Sequence, residues 1–323
     1  MDYIPFGRTG LSVSVAGLGC GGNSQLGLGR GKSETDAVRL VLAAFDEGVT
    51  LFDTAEVYST EGVVGTAVRQ IGRDKTIIAT KARMREGGSL ISAAQLEKKI
   101  DASLQALQTD YIDLYQLHAV TLAMVDQVEA ELVPVLQAAK ASGKIRHFGL
   151  TETSPNDHDQ AMLQRVLPTG LWESAMFAFN LMNQGARQAV FPLTEAQGVG
   201  TLLMFVVRNV FSQPGLLEQI VKDLAAAGQL PAAFADDPEP LGFLIHESGA
   251  TSLLDAAYRY ARHEPGAHVT LFGTSEISHL KANIASILRP PLPEADRKRL
   301  ENTFGHLKGV GLDLPHRANA PRQ

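Results

Sequence analysis

The feature that most constrains this chain is a rhythm: eight short apolar runs, each followed by a helix-like segment. The runs are "VAGLGC", "TLFDT", "TIIATK", "IDLYQLH", "IRHFGLTE", "ESAMFAFN", "TLLMFVV" and "VTLFGT". Between them, "SETDAVRLVLAAFDEG" carries Ser33 as N-cap, acids in its first turn and Gly48 as C-cap. "SAAQLEKKIDASLQAL" sets Leu96, Ile100, Leu104 and Leu107 at helical spacing, and "AELVPVLQAAKASG" again stops at a glycine. Eight strand–helix pairs in one chain point to a (β/α)8 barrel rather than to two domains.

The remaining segments fit around that ring. Phe6, Gly7 and Gly10 among alternating residues predict an N-terminal β-hairpin, and "ISHLKANIASIL" closes the ring. One stretch breaks the rhythm: 213–248, after strand 7, with an extra helix at "LLEQIVKDLAAAG" followed by "PAAFADDPEP". Insertions on this side of a barrel lie where such folds place their sites, so it is either a lid or a surface excursion. The expected organisation is a single domain over 1–323, with a barrel core at about 4–290 and a tail at 291–323 rich in proline and charge.

Composition excludes several classes of function. A hydrophobic share of 45% is enough for a sizeable core. The net charge of −6 leaves no basic surplus for nucleic acid or an anionic membrane. The only cysteine, Cys20, cannot form an intrachain disulfide or a cysteine-only metal site. The opening "MDYIPFGRTG" has no apolar signal region, and the longest aliphatic runs fall well short of the ~20 residues of a membrane span. A soluble, cytoplasmic protein is expected.

In a barrel the C-terminal strand ends converge on one mouth, and three of them carry ionisable side chains: Asp53, Lys81 and His118. Each alone has an ordinary structural reading, as a turn cap, a solvated strand end or a satisfied core histidine. On successive strands 2, 3 and 4 they are brought together. Tyr58, five residues beyond Asp53, then gains a role. Its free pKa near 10 is high for a proton donor at neutral pH, and Lys81 in a partly desolvated mouth is expected to lower it, with Asp53 holding the ammonium. His118 is placed to orient a carbonyl oxygen. No nucleophile with a partnering base is visible, and one histidine with one aspartate falls short of the three or four ligands of a metal site, so none is expected. The attacking species is expected to be a hydride from a cofactor. Gly17, Gly19, Gly21 and Gly22 fall in and just after strand 1 and do not form a Rossmann fingerprint.

"FDTAEVY", "IIATK" and "LQTDYIDLYQLH", in that order and spacing, resemble the signature segments of the aldo-keto reductases. "GRTGLSVSVAGLGCGG", "SGKIRHFGLTE", "FNLMNQ" and "FGTSEISHLKAN" extend the resemblance over about 4–290. It implies NAD(P)-dependent reduction of an aldehyde or ketone, or the reverse oxidation. Tyr58 would be the general acid, Lys81 and Asp53 its tuning pair, and His118 the carbonyl orienter.

The resemblance assigns cofactor contacts to Gly22, Thr151, Glu152, Met176, Met204, Arg208, Gly273, Ser275, His279 and Asn283, and several depart from the family pattern. Thr151-Glu152 stands where Ser-Asn usually meets the nicotinamide carboxamide. A glutamate accepts from its NH2 but cannot donate to its oxygen. Met176 replaces a glutamine, Met204 an aromatic platform, and Arg208 lies near the pyrophosphate. A one-residue slip at strands 6 or 7 would exchange their faces. At Gly273-Thr274-Ser275 the basic residue of NADP-preferring members is absent, leaving His279 and Lys281, with Glu276 among them. NADP(H) is the expected cofactor, with NAD(H) the alternative. Substrate choice is expected from "ARMREGGS", "AVTLAM" and the 209–245 insertion, with Phe177, Phe179, Phe205 and Phe211 as apolar walls. The partner is a small carbonyl or alcohol, and the protein a monomer or small homo-oligomer. Two other readings are a nucleotide-binding regulatory subunit with little turnover and a barrel hydrolase or isomerase without nicotinamide.

Overall fold

A computed structural model describes residues 1–312. Eight parallel strands close into a barrel: β1 (Ala16–Gly19), β2 (Leu51–Asp53), β3 (Ile77–Arg83), β4 (Ile112–His118), β5 (Ile145–Thr151), β6 (Ser174–Ala178), β7 (Gly200–Met204) and β8 (Val269–Phe272). All eight lie within or largely within the runs read from sequence. Closure comes from β8 on β1, with Thr270, Leu271 and Phe272 opposite Ala16, Gly17 and Leu18.

The strands are largely apolar because both of their faces are covered. The inner face forms its own cluster, in which Leu51, Ile77, Ala79, Leu114, Met176, Leu202 and Val269 fill the barrel. The outer face packs on the helices. The first two of these are α1 (Glu34–Asp46) and α2 (Glu61–Ile71). Ser33 and Asp36 form a reciprocal capping box at the start of α1. Gly48 follows its end at φ +90°, a conformation that only glycine adopts without strain.

The expected hairpin pairs Tyr3–Pro5 with Ser12–Ser14 and plugs the N-terminal end of the barrel. Phe6 is fully buried in the inner cluster. A Cβ on Gly200 would come within 2.5 Å of its ring, so the start of β7 has to be glycine. Arg8 donates to the carbonyls of Gly170 and Trp172 and ties the plug to the β5–β6 side.

The insertion after β7 contains the expected helix at Leu216–Ala226, which buries Leu217 and Val221. The region expected as a tail is different from that reading. Glu294–Phe304 is a helix that buries Leu300 and Phe304, each worth about 1.5–3 kcal/mol. The Phe304 ring meets Phe234 of the insertion edge to face at 5.8 Å. Beyond it, Asn180 Nδ2 donates to the Val310 carbonyl, and the Gly309 N–H donates to Asn183 Oδ1. The chain past the barrel therefore braces the loops after β6 and β7; the rest of the tail, 313–323, lies outside the described residues.

Candidate active site

At the mouth, β2 ends in Asp53 and β3 carries Lys81, and the pleat turns both inward. Lys81 has no exposed surface, and its Nζ donates to Asp53 Oδ1 at 2.7 Å, Asp53 Oδ2 at 2.9 Å and the Thr54 carbonyl at 2.8 Å. Burial alone would lower the lysine pKa, but Asp53 and Tyr58 outweigh it and raise it, so the ammonium is retained. Thr80, on the opposite face of β3, instead donates to Glu61 of α2 at 2.6 Å.

Tyr58 closes a single turn at Glu56–Tyr58, held by its N–H on the Ala55 carbonyl at 3.0 Å. Its ring faces the Lys81 ammonium, 5.1 Å from Nζ to centroid, and stands edge-on to the His118 ring at 5.7 Å. The Tyr58 hydroxyl and His118 Nε2 are 3.4 Å apart, so two polar atoms converge on one point. Gly21 makes this placement possible, since a Cβ there would lie 2.5 Å from the tyrosine ring. Ser59, Ala119 and Phe205, directly after Tyr58, His118 and β7, all hold φ of 60° without being glycine. Such strain commonly gathers at sites whose surroundings over-determine the backbone.

The electrostatics correct one expectation. Burial pushes the Tyr58 phenol above its ordinary value, and the pull of Lys81 does not overcome it, so the phenol stays protonated. His118 moves the other way: burial first, then the charges of Lys81 and Arg83, bring its imidazole down to about 3. It is neutral at physiological pH. Burial also raises the Cys20 thiol, at the end of β1, so it is not a thiolate.

The structure brings Asp53, Tyr58, Lys81 and His118 together; of the residues assigned to a cofactor, Gly22 follows β1 and the others lie on or after β5–β8. Met176 and, in part, Met204 pack in the inner barrel cluster, which settles the register at β6 and β7 with both facing inward. Thr151 is buried, its Oγ1 accepting from the Ala119 N–H at 2.8 Å, and so fixes the loop after His118. Glu152 Oε1 accepts from the Ala178 N–H at 2.6 Å and from Ser154 Oγ at 2.7 Å. Its Oε2 is buried without a hydrogen-bond partner, and burial raises the carboxyl to about 7. An orphaned acceptor at this point fits the NH2 of a carboxamide.

Gly22 has no atom within 4 Å of a would-be Cβ, and at Gly273 the nearest is a backbone oxygen at 3.4 Å; both leave backbone open at the rim. Arg208 lies over the Phe205 ring, 4.6 Å from its centroid. Ser275, His279 and Asn283 follow β8, the last two on the helix Ile277–Leu288. Lys281 on the same helix is directed elsewhere, to Glu47 at 3.2 Å.

Sequence reading missed Lys32. From the loop after β1 its Nζ reaches the Ser275 carbonyl at 2.7 Å and Glu276 at 2.6 Å, a link across 243 residues with no local signal. Phe177, Phe179 and Phe211 are not walls of the mouth. Phe177 and Phe179 pack edge-on against Phe191, and Phe211 is buried in the outer core. Only Phe205 of the four is partly exposed.

An eight-stranded parallel barrel with a buried lysine–aspartate pair beside a tyrosine and a neutral histidine defines a TIM-barrel protein with an ionisable cluster at its C-terminal mouth. A model described as the Aldo/keto reductase family matches residues 17–303. The chain belongs to that family of oxidoreductases. It is similar to L-galactose dehydrogenase of Arabidopsis thaliana, 29% identical over 96% of this chain and 95% of the other. It is also similar to aldo-keto reductase YhdN of Bacillus subtilis, 28% identical over 98% of both chains. Among solved structures, the holo form of aldo-keto reductase AKR11C1 from Bacillus halodurans superposes with a TM-score of 0.74. Its identity is 25%, covering 97% of this chain and 100% of that one. No described helix is long and apolar enough to cross a membrane.

Proposed function

We propose that this protein reduces an aldehyde or ketone to an alcohol, or runs the reverse oxidation, with Tyr58 as the general acid. The observation that carries this is the convergence of the Tyr58 hydroxyl and His118 Nε2, 3.4 Å apart, above a buried, charged Lys81. A nicotinamide coenzyme, when bound, supplies the hydride. The chain's own residues manage the oxygen. Neutral His118 donates Nε2–H to the carbonyl oxygen and orients it. As negative charge grows there, Tyr58 delivers its proton, and the phenolate left behind is stabilised by Lys81. Asp53 keeps Lys81 charged and fixed. A phenol that burial keeps protonated is in the form a reduction requires.

Glu152, Thr151, Met176, Met204, Arg208 and the backbone at Gly22 and Gly273 are proposed to hold the cofactor, with Glu152 Oε2 accepting from the carboxamide. NADP(H) is the proposed form. Lys32 supports it by bringing beside Ser275, where Glu276 holds it, a cation that the β8 end itself lacks. We take the enzyme to be cytoplasmic and a monomer or small homo-oligomer acting on a small carbonyl. The printed name of the plant relative makes sugar-like substrates the first to try.

The test is NAD(P)H consumption over a carbonyl panel, with Tyr58→Phe alongside. Turnover that survives in the variant would sink the mechanism. The altered carboxamide contact at Glu152 favours a second reading, a nucleotide-binding subunit with little turnover. Tight NADPH binding without consumption on any carbonyl would establish it.

A further inference from the structure

The loop after β3 presents charges that the proton-transfer centre does not use. Side chains alternate along β3, so Lys81 and Arg83 share the inward face while Thr80 is turned to the helices. Arg83 stands opposite His118 in the strand register, roughly 6–7 Å nearer the mouth than Lys81. Beside it opens a cavity of about 560 Å³. Its wall is Glu56, Val57, Arg83, Glu86, Lys99 and the Arg85–Gly88 turn, and Val57 directly precedes Tyr58.

The carboxylates in that wall are already engaged. Lys99 Nζ lies 2.9 Å from Glu56 and 2.7 Å from Glu86. Glu56 Oε1 also accepts from the Arg83 N–H at 2.7 Å, and Arg85 donates to the Gly88 carbonyl at 3.0 Å. The Arg83 guanidinium, by contrast, makes no hydrogen bond or ion pair with a described residue and acts only at longer range on His118 and Glu86. It is thus an open planar donor set on a cavity wall whose acids are pinned to a lysine. That is a receptor for an oxyanion, which a guanidinium binds through paired donors.

We infer that Arg83 binds the carboxylate or phosphate of an anionic carbonyl substrate whose reacting oxygen lies between Tyr58 and His118. This rests on the reductase reading above and names the substrate class. Within that class, the loop "ARMREGGS" sets specificity through one side chain, Arg83.

Two measurements test it. In turnover, succinic semialdehyde is compared with its methyl ester, and glycolaldehyde phosphate with glycolaldehyde. In the unaltered protein, kcat/KM should favour at least one anion over its neutral partner by about ten- to a hundredfold, the range of a charge-assisted contact. Arg83→Gln should bring that ratio near one, through KM rather than kcat, and Arg83→Lys should restore part of it. A ratio near one in the unaltered protein, or one that Arg83→Gln leaves intact, overturns the inference.

The second measurement needs no turnover: calorimetric titration with 4-hydroxybutyrate, 2-hydroxyethyl phosphate and 1,4-butanediol. The anion should bind, the diol should not, and Arg83→Gln should abolish binding while the melting temperature holds. Equal affinity for anions and diol, absence of anion binding, or anion binding retained in Arg83→Gln each overturns it. Anion binding in a protein that consumes no NAD(P)H would sink the reductase reading and leave the anion site standing.

Discussion

Lys81 and Asp53 are paired inside the barrel, where one ammonium makes three donor contacts, to Asp53 Oδ1, Asp53 Oδ2 and the Thr54 carbonyl. Removing either partner leaves a buried charge alone, which costs about 3–5 kcal/mol. Lys81→Met and Asp53→Leu should each lose that much in urea unfolding. The double variant should lose less than the sum, because it removes both charges. Additive losses would mean that the pair does not act as a unit.

Tyr58→Phe keeps the ring against Gly21 and the edge contact with His118 but removes the proton. Turnover should fall by about two to four orders of magnitude, the usual range for a general acid. NADPH binding, read by fluorescence, should remain. Loss of both together would indicate a disturbed mouth instead of a missing acid.

His118 titrates at about 3 in the fold and at 6.5 when free. Between those values the unfolded chain holds a proton that the folded one excludes, so stability falls as pH drops from about 6.5 toward 3 and is flat above. His118→Gln should flatten part of that acid limb in denaturation measured against pH. An NMR titration should show the native imidazole neutral down to about pH 4.

Glu152 has the opposite sign. Its carboxyl, raised from 4.5 to about 7, keeps a proton in the fold that the unfolded chain has released. Stability therefore declines as pH rises through that window and levels above about 7. Glu152→Gln should melt higher than the unaltered protein at pH 8 and lose the decline. A variant that melts lower at pH 8 would show that the carboxylate is stabilised by contacts other than those to Ala178 and Ser154.

Lys32 is partly exposed, and its ion pair with the exposed Glu276 should contribute little to stability. Lys32→Met should raise the Kd for NADPH by about tenfold, as expected for one charge-assisted phosphate contact, and change that for NADH far less. Equal changes for both coenzymes would assign Lys32 to holding the β1 loop.

Sequence alone determined the architecture. Eight apolar runs separated by capped helices admit few arrangements, and a parallel sheet covered on both faces closes in the way the strands pair. It also determined which strand ends carry Asp53, Lys81 and His118, because the strand period fixes facing once the barrel is assumed. Tyr58 was legible because it lies only five residues beyond Asp53.

Only the tertiary structure decided what those groups experience. Burial, a property of the whole mouth, keeps the Tyr58 phenol up against the pull of Lys81 and drives His118 neutral. Contacts across the chain were equally hidden. Lys32 meets Glu276, and the helix Glu294–Phe304 turns an expected tail into a brace. Arg83 was one residue of a polar loop until β3 set it facing His118. A one-dimensional pattern encodes period and local caps, whereas desolvation and long-range pairing depend on which segments the closed barrel brings side by side.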